Sequence, residues 1–98
     1  MRTYTAKEVE KRLEAGEKLN LLDVREAEEV KEGKISKATN IPLGVLEFRL
    51  NELDKSKEYV VVCRSGGRSA KAVYFLENQG YDAINMTGGM LDWEGHVE

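Results

Sequence analysis

Cysteine, histidine, proline and tryptophan each occur once in this chain of 98 residues. One cysteine cannot close a disulfide within the chain, and one histidine beside it cannot complete the ligand set of a structural zinc. No resident metal or organic cofactor is therefore expected. No stretch approaches the roughly 18 apolar residues of a membrane span. The opening segment, MRTYTAKEVE, lacks the apolar centre of a secretory leader. Neither sign of charge dominates, since 15 Lys and Arg against 18 Asp and Glu leave a formal charge of −3. That balance gives no electrostatic footprint for nucleic acid or an anionic membrane surface. Repeats, linkers and low-complexity tracts are absent too, and a reducing cytoplasm is the expected compartment.

What is present reads as one domain over residues 1–98. A chain of this length buries roughly two thirds of its unfolded surface, and 41% hydrophobic with 34% charged residues is an ordinary globular composition. Thr5 and Glu8 form a capping box, after which Val9 and Leu13 keep helical spacing until Gly16. LNLLDV, Leu19 to Val24, reads as a buried strand, and EAEEVKEG as a short charged helix closed by Gly33. KISKATNIP is expected to be a loop ending in a short strand. Pro42 then suits the first position of a helix over Leu43 to Leu53, with Val45, Leu46, Leu50 and Leu53 on one face. YVVVC is the strongest strand signal, being short, continuous and β-branched. A helix follows from Arg68 to Gln79, stopped by Gly80; DAIN reads as a weaker strand, and TGGMLDWEG as a tight turn and a short helix. Strands alternating with helices predict an α/β domain with a mostly parallel sheet, whose ligands bind beyond the carboxyl ends of the strands.

Cys63 stands at such an end, leading Cys63-Arg64-Ser65-Gly66-Gly67-Arg68 into the helix. Two adjacent glycines let a loop curl until several N–H groups face one point. The free N–H groups of the helix start and two arginines add positive potential there. Such surroundings favour a thiolate and can hold an anion beside it, which makes Cys63 a candidate nucleophile. A cysteine after Val-Val-Val is otherwise a small buried hydrophobe, but a structural cysteine needs no anion cradle.

The run VVVCRSGGRSAKAVYFLENQGYDAINMTGGMLDW resembles the active-site half of a rhodanese domain, with its C-x-S-G-x-R-S pattern and the later Gly-Gly and Trp. LLDVRE resembles the D-V-R-E segment of that family, and EGKISKATNIPL its E-G-H-I-P-G-A-x-N-I-P-L, so the likeness spans Tyr4 to Trp93. The resemblance implies a central five-stranded parallel sheet flanked by helices. It also implies a sulfurtransferase in which Cys63 carries a persulfide from thiosulfate or a related donor to a thiol or cyanide acceptor. On that reading Arg64, Ser65, Gly66, Gly67 and Arg68 bind the substrate, while Asp23 and Arg25 pair to brace the site. The expected partners are a small sulfur donor and a thiol acceptor, which can be a protein.

The chain departs from the family pattern at Ala27, Lys34, Ser36 and Lys37, none of which touches the nucleophile. Lys34 and Lys37 add charge at the pocket mouth if they lie there, and otherwise are solvated surface. Trp93 and Met90 are expected to pack, His96 to lie in a frayed tail, and Gly88 and Gly89 to allow close backbone packing on the loop. Two other functions compete. A cysteine phosphatase or arsenate reductase places five residues between Cys and Arg around a larger oxyanion; Cys63 and Arg68 enclose four. A catalytically silent binding module of the same fold usually loses the cysteine, which this chain keeps.

Overall fold

The computed structural model describes all 98 residues. Its first helix, α1 (Ala6–Glu14), starts where the capping box places it: the Thr5 hydroxyl accepts from Glu8 N, and the Glu8 carboxylate accepts from Thr5 N. Strand β2 (Asn20–Asp23), α2 (Ala27–Lys31), the two-residue β3 (Thr39–Asn40) and β4 (Glu58–Val62) follow. Helix α3 (Gly67–Asn78) and β5 (Asp82–Thr87) complete the main elements.

The sequence reading overlooked β1 (Arg2–Thr5), a largely exposed strand. It lies at one edge of a five-stranded sheet of order β1-β5-β4-β2-β3, in which every pairing is parallel. The expected five-stranded parallel α/β architecture is therefore the observed one. No helix is long and apolar enough to cross a membrane.

Two apolar cores, one on each face of the sheet, explain why β4 has no polar alternation. Val61 and Cys63 pack on Ala72, Val73 and Leu76 of α3, whereas Val60 and Val62 pack on Ala6 and Val9 of α1. A strand covered on both faces must be apolar on both.

The segment expected as one α-helix over 43–53 is instead two 3₁₀ turns, Leu43–Phe48 and Leu50–Glu52. Pro42 precedes the first as its cap rather than opening it. Leu43 and Leu46, then Leu50 and Leu53, are spaced by three, the period at which 3₁₀ side chains stack. All four pack on the α3 core.

The tail around His96 is not frayed. Glu98 N donates to Lys34 O at 2.9 Å, Lys34 N returns a bond to Glu98 O at 3.1 Å, and Trp93 Nε1 donates to His96 O. The His96 side chain itself is exposed.

Candidate active site

Between the end of β4 and the start of α3 the chain turns within Cys63 to Gly66. Gly66 takes φ +102°, a conformation that a side chain would strain, and so brings its N–H to 3.0 Å from Cys63 Sγ. Gly67 needs no such freedom, as it has no positive φ and opens α3; the loop draws on one of its two glycines for the turn. Ser69, in the first turn of α3, places Oγ 3.2 Å from the sulfur. Cys63 is itself wholly buried.

A second turn holds the loop from behind. Met90 N donates to Cys63 O and Leu91 N to Arg64 O, each at 2.9 Å. This approach depends on Gly89, at φ +58°, because a Cβ there would lie 2.6 Å from Cys63 O and closer still to Arg64 O. Gly89 thus allows the tight packing on the loop that was expected of both glycines, whereas Gly88, at φ +79°, faces the Asp92 side chain instead.

Burial alone would push the Cys63 thiol up. The Ser69 hydroxyl and the amides of Ser69, Gly66 and Ser65 outweigh it, so the thiol is held below its ordinary value. A thiolate at the start of a helix, ringed by N–H groups, is suited to attack an electrophilic sulfur and to receive negative charge afterwards.

Arg64 and Ser65 are exposed on the outer side of the loop. Arg68, expected to bind substrate, has its guanidinium clasped by Glu29, Nη1 to Oε1 at 2.6 Å and Nη2 to Oε2 at 2.8 Å. The hydrogen bonds from Arg68, helped by the Glu26 N–H and the Arg68 charge, in turn lower the Glu29 carboxyl to about 2. Asp23 and Arg25 form a second, buried clasp, with Arg25 Nη2 2.8 Å from Asp23 Oδ2. Arg25 also donates to Glu29 O within α2 and to Gly33 O just past its end. The two pairs thereby connect β2 to α2, and α2 to α3. Neither Asp23 nor Arg25 is hydrogen-bonded to the sulfur; their geometry is that of a brace.

Three polar residues at the site escaped the sequence reading in this role. Ser69 lay within the recognised pattern but not among its expected ligands. Glu29 is one of several acids in a charged helix, and only the fold pairs it with Arg68. Asn85 is buried on β5, accepts from Ser69 Oγ at 2.5 Å, and donates to Gly66 O at 3.3 Å. Its one signal was a polar residue inside an apolar strand. Lys34 and Lys37 do not join the loop. Lys34 lies against Glu98, and Lys37 lines a separate groove of about 870 Å³ with Leu13, Leu19, Ile35 and Trp93.

Comparison with known proteins agrees with this geometry. YtwF of Bacillus subtilis, which carries a provisional sulfurtransferase name, is 46% identical over 90 residues, covering 92% of this chain and 87% of its own. A protein of Allochromatium vinosum named sulfurtransferase is 36% identical, over 87% of this chain and 80% of its own. The crystal structure of a rhodanese-like domain protein from Staphylococcus aureus superposes with a TM-score of 0.94 at 37% identity, covering 100% of this chain and 97% of the other. The model of the rhodanese-like domain matches residues 5–96. With sheet order, loop and sequence in accord over nearly its whole length, the chain belongs to the rhodanese-like domain family.

Proposed function

We propose that residues 1–98 work as one sulfurtransferase unit in the cytoplasm, with sulfur carried on Cys63. The Cys63 thiolate attacks the outer sulfur of thiosulfate or a related donor. A new S–S bond forms, and the donor's own S–S bond breaks, its electron pair leaving on sulfite. The persulfide left on Cys63 is anionic, and the N–H groups at the start of α3 stabilise it. A thiol or cyanide from outside the chain then attacks the terminal sulfur, and the electron pair of the breaking bond restores the thiolate. Because the chain has one cysteine, no second thiol within it can discharge the first.

The observation that carries this reading is the Gly66 N–H aimed at Cys63 Sγ from a loop of four residues between Cys63 and Arg68. A ring of that size fits a sulfur atom better than a phosphoryl group. Intact mass after incubation with thiosulfate or polysulfide tests it. One added sulfur, about 32 Da, is expected, removable by a reductant and absent from Cys63→Ala. An unmodified protein under every donor would assign the chain to the silent binding modules instead.

A further inference from the structure

Two polar side chains are buried beside the nucleophile, Ser69 at 0% and Asn85 at 5% exposure. Asn85 lies mid-strand in β5, opposite Val61 of β4 and Thr3 of β1, between Ile84 and Met86. Asparagine is a poor strand former, and a buried amide is costly unless bonded. Its bonds show what it does there.

Asn85 Nδ2 donates to Gly66 O, and a carbonyl can only accept. The amide is therefore oriented with nitrogen toward Gly66 and Oδ1 toward Ser69. Oδ1 has no hydrogen, so in the 2.5 Å contact the Ser69 hydroxyl is the donor. A hydroxyl has one hydrogen. With that hydrogen on Asn85, Ser69 turns only lone pairs toward Sγ, 3.2 Å away. Any hydrogen between those two atoms then belongs to sulfur.

We infer that Asn85 is a positioning residue that draws the Ser69 hydroxyl hydrogen away from Cys63, so that Cys63 rests as a thiol donating to Ser69. The thiol proton leaves to water when the nucleophile forms. Ser69 then rotates about Cβ–Oγ and turns its own hydrogen from Asn85 Oδ1 to the sulfur. No other proton moves, and Asn85 keeps its bond to Gly66. Beside the loop N–H groups, the Ser69 hydroxyl then stabilises the thiolate only by the difference between two hydrogen bonds, which moderates a buried sulfur that would otherwise oxidise readily between turnovers. This switch rests on the sulfur-carrying reading for its use, but its test follows a proton, so the two can fail separately.

Cys63 is the only thiol, so the ultraviolet absorbance of its thiolate, with Cys63→Ala subtracted, titrates a single group. Asn85→Val, suited to a strand, frees the Ser69 hydrogen and should raise the thiolate fraction below the midpoint about tenfold, the effect of one charge-assisted hydrogen bond. Asn85→Ala offers the same test with less bulk. In a Ser69→Ala background there is no hydrogen to free, and Asn85→Val should give no rise. Ser69→Thr keeps the hydroxyl and should preserve it. An Asn85→Val protein with unchanged or reduced thiolate overturns the inference, as does an equal rise in both backgrounds. A wild-type measurement needs no variant to fold: the buried Ser69 hydroxyl proton, followed by NMR, should shift through the thiol midpoint. A resonance that stays fixed also overturns the switch.

Discussion

Glu29→Gln removes the charge of the Glu29–Arg68 clasp and one of its two acceptors while keeping the side chain's size. Glu29 Oε1 also accepts from Glu26 N at 3.0 Å at the start of α2, and glutamine retains an acceptor for that bond, so the variant acts on the Arg68 side, where the charge and one acceptor are lost. The Glu29 carboxyl stands at about 2 against an ordinary 4.5. Full linkage of that difference would stabilise the fold by about 3 kcal/mol at neutral pH. The two side chains are 34% and 29% exposed, and solvent screening reduces the expected contribution to about 1–2 kcal/mol. Because the folded-state value is depressed, the stabilisation is fully present above 4.5 and lost as pH falls from there through about 2. Urea denaturation of wild type and Glu29→Gln across that range is the assay. The gap should be about 1–2 kcal/mol at pH 7 and less than half its neutral value by about pH 3. A gap of the same size at both pH values would refute a charge-based clasp and leave only its shape.

The other expectations concern the brace, the loop and the donor. Asp23→Ala strands the buried Arg25 guanidinium and should cost about 3–5 kcal/mol in urea denaturation; a loss below about 1 kcal/mol would mean the pair braces nothing. Gly89→Ala forces a side chain into the Cys63 and Arg64 carbonyls and should destabilise by about 2–4 kcal/mol, with a thermal midpoint near wild type the contrary result. Arg64→Ala should lower kcat/KM for thiosulfate about tenfold to a hundredfold, mainly through KM, with weaker salt dependence than wild type. Equal losses for charged and uncharged donors would remove Arg64 from donor recognition. Aryl phosphates should show negligible turnover in a steady-state assay, and turnover comparable with that on thiosulfate would undo the loop-size reasoning.

Structure was legible where its signals and its causes are both local. The Thr5–Glu8 box acts within one turn, and Val60 to Val62 are apolar because both faces of β4 are covered. The cysteine loop was legible for the same reason, since glycine, helix start and thiol are chain neighbours. What remained hidden depends on distant partners. RTYT has no core-facing pattern, and its strand identity comes from β5, at the far end of the sequence. Four leucines spaced by three and four fit either helix period until the α3 core selects one. Arg68 beside a cysteine reads equally as an anion ligand or as half of an ion pair, and only the placement of α2 supplies Glu29. Asn85 gives no hint of chemistry until the fold sets it against Ser69.

The parallel sheet also gives the order in which a growing chain can become reactive. Strand β1 is synthesised first yet pairs only with β5, the last strand, and β5 brings both Asn85 and the turn through Gly89 that holds the loop. Cys63 leaves the ribosome well before either. At roughly 5–20 residues per second, the nascent polypeptide carries its thiol for some seconds without the network that tunes it. Over that interval the cysteine has the reactivity of any unfolded thiol. Its acquired chemistry is a sign that translation has passed β5, and a chain ending before that strand would carry the cysteine without the network that tunes it.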